Sequence, residues 1–170
     1  MPHPQFIQED NTLYRVEGYV SEQDILEQSE FLLLKRLQNG EPVRNPADTT
    51  NFFQHSLADK CNRHFSALFL NADHVVIAYE KLLEGSLDEM SIYPRIVVQR
   101  ALYYNAAAVI FAQNRPSRSR FTVLDRFLDN SEVHVTKDLV RALSLIDVEV
   151  LGHFAVFPDG WEVIEPEPDG

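Results

Sequence analysis

Two apolar segments joined by a four-residue turn constrain the fold of this chain more than any other feature. Residues 64–70 (HFSALFL) and 75–82 (VVIAYEKL) are rich in β-branched and aromatic residues, and residues 71–74 (NADH) have turn composition. This pattern predicts a β-hairpin. A further strand-like segment at 106–112 (AAAVIFA) follows a helix that Pro94 is well placed to begin. Strands that enclose a helix in this way indicate a sheet covered by helices.

Helix and strand patterns continue on both sides of the hairpin. Ser21, followed by Asp24 three residues later, forms an approximate capping box and predicts the start of a helix. Asn39-Gly40 can adopt the left-handed conformation that ends it. Residues 1–10 contain two prolines and no periodicity, so we expect a loose start. The other predicted elements are a strand over 12–20, helices over 47–62 and 131–146, and a terminal hairpin over 148–157 and 161–164.

The order of these elements predicts the fold class. Helices and strands mix with antiparallel-style turns, which is typical of an α+β fold or a three-layer α/β/α sandwich. At ~150 residues per domain, a chain of 170 residues is expected to form one domain. Within it we expect a strand and helices of residues 1–62 to pack on a core of residues 63–165. Residues 166–170 form an acidic tail that we expect to fray.

Composition and charge exclude several classes of function. The formal net charge of -11 repels phosphate backbones, so nucleic-acid binding is not expected unless the 15 Lys and Arg residues cluster on one face. The single cysteine, Cys61, excludes a disulfide framework and a multi-cysteine zinc site. No apolar run approaches ~18 residues, and no leader segment opens the chain. We therefore expect a cytoplasmic protein without membrane contact.

From about Tyr14 to Ile164 the sequence resembles the RadC-like family of JAB/MPN domains, the fold of JAMM metallopeptidases. The resemblance rests on several segments that occur in the family's order. It implies an α/β fold of the JAB/MPN type, a three-layer sandwich with a curved mixed sheet and a cytidine-deaminase-like architecture. The segments are the strand and helix at 13–38, FSALFLNADHVVIAYEKLLEGS at 65–86, YPRIVVQRAL at 93–102, NAAAVIFA at 105–112, Pro116-Ser117, and ALSLIDVEVLGHFAV at 142–156.

The family resemblance also implies a zinc site, and this sequence departs from it. In the family, two histidines of a His-Asn-His-Pro-Ser-Gly motif and a downstream aspartate bind zinc, which leaves one position for an activated water. Here the motif reads Gln113-Asn114-Arg115-Pro116-Ser117-Arg118. Glutamine is a poor ligand for zinc, and arginine keeps its proton and its positive charge. We therefore expect no zinc, no other cofactor and no catalytic residue.

The positions of the family's two functional carboxylates are also changed in this sequence. The ligand aspartate corresponds to Glu132 when the last helix is aligned, but to a position near Asp125 when residues are counted from Arg115. The glutamate that polarises the water corresponds to Arg63, with Glu80 in the second strand as the alternative. We hypothesise that the two arginines, paired with one of these carboxylates, replace the charge of the metal.

The segment after the motif is cationic and partly apolar. The arginines of this segment could bind phosphate or an acidic surface of a partner protein. Its apolar residues could cover the former metal site or contact a partner. A solvated loop and ordinary core packing are the alternatives. The candidate binding residues are Arg118, Arg120, Phe121, Leu124 and Arg126.

The histidines and the cysteine do not predict another active site. The six histidines show no His-x-His or His-x3-His spacing, so we expect structural or surface roles for them. His153 lies in VLGHFAV, where the family commonly has a histidine outside the metal shell. Cys61 precedes His64 by three residues, but we expect Cys61 to be a buried thiol without a catalytic role.

Two functions from different classes follow. The first is a catalytically inactive RadC-like pseudoenzyme that acts as a protein-interaction or regulatory module, because family members without the metal site commonly serve as scaffolds. Small RadC-like proteins of bacterial mobile elements are also similar. The alternative is a metal-dependent peptidase or isopeptidase with oxygen ligands, which would favour Mg²⁺ or Mn²⁺. We expect a protein partner and no nucleic acid, and the oligomeric state stays open. The alternative ligands are Gln113, Glu132, Asp125 and Glu80.

Overall fold

The computed structural model describes residues 5–57, 62–85, 92–114 and 130–165, without the side chains of residues 130–133. Four α-helices and seven strands lie in these ranges. The strands are β1 (Phe6–Gln8), β2 (Tyr14–Val16), β3 (Arg63–Leu70), β4 (Val76–Gly85), β5 (Ala108–Asn114), β6 (Glu149–Phe157) and β7 (Gly160–Val163). The helices are α1 (Glu22–Leu37), α2 (Thr50–Leu57), α3 (Pro94–Tyr103) and α4 (Asn130–Ser144), and a 3-10 helix over Pro46–Thr49 precedes α2.

The central element is a five-stranded mixed sheet in the order β4-β3-β5-β6-β7. Strands β5 and β6 are parallel, and the other neighbouring pairs are antiparallel. The two strands β1 and β2 form a separate small sheet. The parallel pair arises because α4 connects the end of β5 to the start of β6, as a parallel crossover requires.

Alternate residues of β3 pack on opposite faces of the sheet. Leu68 belongs to the apolar cluster that includes Phe53 of α2 and contacts α1, whereas Phe69 belongs to the cluster of α3 and α4 that includes Leu143. The same alternation separates consecutive charged residues of β4: Lys81 lies 3.5 Å from Glu30 of α1, and Glu80 lies 2.8 Å from Arg100 of α3. Helices therefore cover both faces, and the predicted three-layer α/β/α fold is confirmed.

The turn between β3 and β4 follows the local chemistry that the sequence predicts. The Asn71 carboxamide oxygen accepts hydrogen bonds from the backbone N–H groups of Asp73 and Val75, both at 3.0 Å. His74 adopts a left-handed conformation with φ of 62°. An asparagine that bonds to its own turn in this way favours the hairpin over continued strand.

The start of α1 also follows prediction. The Ser21 hydroxyl accepts from the backbone N–H of Asp24 at 3.1 Å, and the Asp24 carboxylate accepts from the N–H of Ser21 at 2.7 Å. This reciprocal pair satisfies two of the otherwise unbonded amides at a helix start. Among the described residues, no helix is long and apolar enough to cross a membrane.

Three sequence predictions near the N-terminus were wrong in detail. Residues 6–8 are not loose but form β1, which pairs with β2. The strand predicted over 12–20 covers only Tyr14–Val16, because its partner is equally short and Gly18 adopts a φ of 77°. The helix predicted over 47–62 begins as a 3-10 helix that the Asn45 side chain caps, and α2 ends at Leu57, beyond which 58–61 lie outside the described residues.

Candidate functional site

The candidate site lies at the end of the sheet where β3 begins and β5 ends. Since these strands are antiparallel, Arg63 at the first position of β3 is near the last residues of β5, Gln113 and Asn114. Phe65 of β3 pairs directly with Gln113, which pairs on its other side with Ala155 of β6. The register therefore brings the predicted positions 63 and 113 to the same end of the sheet and, by strand alternation, to the face that α4 covers.

Gln113 is buried and incompletely hydrogen-bonded. Only 1% of the residue is exposed, and within the described part of the chain its side-chain Nε2 has no hydrogen-bond partner. A buried polar group in this state costs ~1–3 kcal/mol. Such a cost is unusual at a position with a purely structural role, so Gln113 marks this point of the sheet as the candidate site.

His153 lies on the same face as Gln113, one strand away. Its ring makes edge contacts with Phe65 and Phe111, at centroid distances of 5.6 and 5.9 Å. Its Nδ1 lies 2.6 Å from the Thr136 hydroxyl of α4, while its Nε2 has no hydrogen-bond partner among the described residues. Burial lowers the pKa of His153 to about 3, so the imidazole is neutral at physiological pH.

Asn114, the next residue of β5, is buried on the other side and fully bonded. Its carboxamide oxygen accepts from the backbone N–H of His64 at 2.6 Å, and its Nδ2 donates to the carbonyl of Asn62 at 2.9 Å. These two bonds extend the β3–β5 pairing beyond the last main-chain register pair, Phe65 with Gln113. Asn114 therefore holds the start of β3 in place.

The other predicted site residues within the described ranges lie in different surroundings. Arg63 is half-buried at the start of β3. Glu80 lies farther along β4, opposite Ala67, and its carboxylate accepts from Arg100 Nε at 2.9 Å and from the Tyr104 hydroxyl at 2.7 Å. This carboxylate is thus bound to α3. Glu132 is in the first turn of α4, but its side chain is outside the described residues.

The remaining predicted residues cannot be placed. They fall in 115–129, outside the ranges that the structure describes. The pairing of Arg115 and Arg63 with carboxylates therefore stays a hypothesis, as does the binding role of the cationic segment. These residues are Arg115, Ser117, Arg118, Arg120, Phe121, Leu124, Asp125 and Arg126.

The described residues do not fit the family's zinc site. In ranges 5–57, 62–85, 92–114 and 130–165, no group of three or more His, Cys, Asp or Glu is placed to hold a metal ion. At position 113 the side chain is an amide, which carries no charge and is a weaker zinc ligand than imidazole. The buried His153 contacts two aromatic rings and Thr136 rather than another potential ligand.

Sequence reasoning overlooked the roles of two residues at this site. For Asn114 the sequence indicates only a place in the motif, because its partners His64 and Asn62 lie 50 and 52 residues away. Thr136 gave no signal at all, because its partner His153 is 17 residues away and the contact depends on how α4 lies on the sheet.

Comparisons with known proteins agree with this fold. A family model described as "RadC-like JAB domain" matches residues 43–162. A UPF0758 protein of Vibrio parahaemolyticus is 39% identical over 139 residues, which cover 81% of this chain and 59% of that protein. A UPF0758 protein of Nitrosomonas europaea is 40% identical over 135 residues, which cover 79% of this chain and 57% of that protein.

The region matched by the family model contains strands β3 to β6, most of β7, and the described part of the candidate site. The chain spans a little under three fifths of the length of these curated relatives, so the comparison concerns the shared domain and not their full length. Since the family model covers most of the chain and includes strands β3 to β6 of the central sheet, this protein belongs to the RadC-like JAB domain family.

Proposed function

We propose that this chain is a catalytically inactive RadC-like pseudoenzyme that acts as a protein-interaction or regulatory module. The observation that carries the proposal is the buried amide of Gln113, whose Nε2 has no hydrogen-bond partner among the described residues. The sequence resemblance aligns Gln113 with the family's first zinc-binding histidine. The sequence places Arg115 at the position of the second histidine. A permanently charged guanidinium at that position opposes binding of a cation.

The electrostatics of the described site support the same reading. Hydrolysis by this family's chemistry needs a metal-activated water and a carboxylate that accepts its proton. Arg63 stands where the carboxylate is expected, and Glu80, its alternative, is bound by Arg100 and Tyr104. His153 is buried and neutral, so it does not supply a surface base.

An intact scaffold with an altered site is typical of a protein that binds a partner. Helices pack on both faces of the sheet, and the pairing of β3 with β5 extends as far as Gln113. The single-domain core therefore remains able to present a surface, and we propose that a protein binds it. The similarity to small RadC-like proteins of bacterial mobile elements is the basis for proposing an origin on such an element.

The metal content of the purified, untagged protein tests the proposal. We expect wild type to carry less than ~0.1 equivalent of zinc, manganese or magnesium, because a zinc site needs ionisable ligands that this motif lacks. Gln113→His/Arg115→His restores both histidines, and zinc gained by this variant would show that the site geometry persists. The matched control is Gln23→His/Arg36→His, which makes the same replacements on α1 away from the sheet.

A stoichiometric metal in wild type that survives dialysis would overturn the proposal. That result would favour the metal-dependent hydrolase, and peptidase or isopeptidase assays with the bound metal would follow. The metal that is found would then identify the ligands, since oxygen donors favour Mg²⁺ or Mn²⁺ over zinc.

A further inference from the structure

Several large apolar side chains near the N-terminus are exposed. We call this group, which comprises Leu13, Val16, Tyr19, Ile25 and Leu26, the N-terminal patch. Tyr19 is 100% exposed and Leu13 is 61% exposed. The patch extends from β2 to the first turn of α1, ahead of residues 43–162 that match the family model. Exposed apolar clusters with a polar rim are typical of protein-binding surfaces.

The rim of the N-terminal patch is strongly acidic. Between residues 5 and 30, Arg15 is the only Lys or Arg. Its guanidinium is bound by Glu9 at 2.6 Å and by Glu17 at 2.9 Å, so it does not offset the remaining acids. These are Asp10, Glu22, Asp24 and Glu27, whereas Glu30 lies 3.5 Å from Lys81. A surface of this kind is complementary to one that is both apolar and cationic.

Such a surface exists on α3 of the same chain. We call the group Tyr93, Arg95, Gln99, Leu102 and Tyr103 the α3 patch; all five are exposed, Tyr103 to 71%. No Asp or Glu occurs between residues 92 and 114, and since Arg100 is bound to Glu80 of β4, Arg95 supplies the positive charge of the patch. The patch thus combines aromatic and aliphatic area with positive charge.

The aromatic part of the α3 patch is held in position. The Arg100 guanidinium lies 4.4 Å from the centre of the Tyr103 ring and is itself bound to Glu80 at 2.8 Å. Tyr104 adds an edge contact to the Tyr103 ring at 5.0 Å between centroids. A ring that is fixed before binding loses little conformational freedom when a partner covers it.

The two patches belong to opposite layers of the molecule. Helix α1 packs with Leu33 and Leu34 on one face of the sheet, whereas α3 packs with Val97 and Ala101 on the other. The sheet lies between them, so they do not cover each other within one chain. Their complementary charges and exposed apolar area can be matched between two copies.

We propose that this protein self-associates head to tail, with the N-terminal patch of one copy bound to the α3 patch of the next. The inference goes beyond the proposed function and does not depend on the state of the former metal site. Because the two surfaces differ, the contact is heterologous, and each added copy leaves one free patch of each kind. Assembly therefore continues with concentration and weakens with salt, since the rim contacts are between exposed charges.

Sedimentation velocity across a concentration series, at low and high salt, tests the proposal. Wild type is expected to form growing assemblies at low salt that dissociate at high salt. Tyr19→Ser/Leu26→Ser removes apolar area from the N-terminal patch, and Arg95→Glu/Leu102→Ser damages the α3 patch. Each variant alone is expected to associate at least about tenfold more weakly than wild type, because it loses one half of the contact.

A mixture of the two variants gives the decisive result. Each retains the patch that the other has lost, so the mixture is expected to form dimers with one copy of each variant that do not grow further. Val163→Ser, an exposed apolar residue on β7, is the matched control and is expected to associate like wild type. Circular dichroism and thermal melting verify that every variant is folded, and only folded variants enter the comparison.

Three results would overturn the proposal. Wild type that stays monomeric at every concentration and low salt shows that the patches do not bind each other. A mixture of the two variants that remains monomeric would likewise show that the N-terminal patch does not bind the α3 patch. A single variant that still dimerises as strongly as wild type would point to a symmetric contact elsewhere, or to a different protein as the occupant of each patch.

Discussion

Gln113 and Asn114 are adjacent buried amides at the end of β5, and they differ in how the surrounding structure bonds them. The Asn114 amide accepts from one backbone group and donates to another, and so ties the start of β3 to the end of β5. The Gln113 amide points to the opposite face, where its Nε2 has no hydrogen-bond partner in the described chain. Burial is nearly equal, so burial does not explain the difference.

The contrast separates a structural position from a functional one. On the Asn114 side every bond contributes to strand pairing, so replacement should cost stability. On the Gln113 side, we propose that an amide occupies a position where the family binds metal, and neighbouring His153 also has an Nε2 without a hydrogen-bond partner among the described residues. Unpaired buried groups cost free energy, and proteins retain them mainly where an earlier or present function required a polar side chain.

Among the variants at this end of the sheet, Asn114→Ala is expected to lower the free energy of unfolding the most. It removes two hydrogen bonds and leaves the His64 N–H and the Asn62 carbonyl without their side-chain partner, at a cost of ~2–4 kcal/mol in the free energy of unfolding. Urea denaturation measures it. Asn62→Ala is the matched control, since Asn62 is exposed and its side-chain Nδ2 donates to the Glu84 carboxylate at 3.0 Å. Equal losses in the two variants would contradict the structural role of Asn114.

The pH dependence of stability tests the Gln113 side through His153. Its pKa is lowered to about 3 in the folded chain, against 6.5 for an ordinary histidine. Between these values the unfolded chain binds a proton that the folded chain does not, so stability is fully present above pH 6.5 and falls as the pH decreases towards 3. From pH 8 to pH 5 this one residue is expected to lower the free energy of unfolding by ~2 kcal/mol.

The measurement is urea denaturation at several pH values, with His153→Gln and His134→Gln compared. His153→Gln is expected to have a flatter pH profile than wild type. His134 is exposed on α4, so His134→Gln is expected to keep the wild-type slope. A wild-type slope that survives in His153→Gln would contradict the lowered pKa of His153, because the pH dependence would then come from other groups.

Gln113→Met is expected to have the smallest effect. Methionine has a similar volume and removes the unpaired donor, so the free energy of unfolding should stay within ~1 kcal/mol of wild type or rise. Denaturation under the same conditions as for Asn114→Ala makes the two neighbours directly comparable. A decrease of more than ~2 kcal/mol in the free energy of unfolding would show that Gln113, like Asn114, stabilises the fold. That result would contradict the distinction between the two residues.

Elements with local signals were predicted well from the sequence. The β3–β4 hairpin depends on Asn71 and its own turn, and the start of α1 depends on Ser21 and Asp24, so both are determined within a few residues. Residues 108–112 of strand β5 form an unbroken apolar run, which the sequence shows directly. The short β1–β2 pair was not predicted, because its three register pairs give no periodicity that a sequence pattern could reveal.

For the candidate site, the sequence indicated residues but not their surroundings. The resemblance identified Gln113 and Arg63, and strand register then brought them to one end of the sheet. No pattern showed that Glu80 would bind Arg100 and Tyr104, because that contact depends on the rotation of α3 over β4.

The sequence by itself determined the fold class and the family. These depend on residue types and their order, which need no coordinates. Only the tertiary structure decided that the Asn114 Nδ2 is bonded while the Gln113 Nε2 has no partner in the described ranges, and that Thr136 contacts His153, 17 residues away. The physical reason is that a polar group's free energy depends on which partners reach it after burial, and side chains far apart in sequence supply those partners.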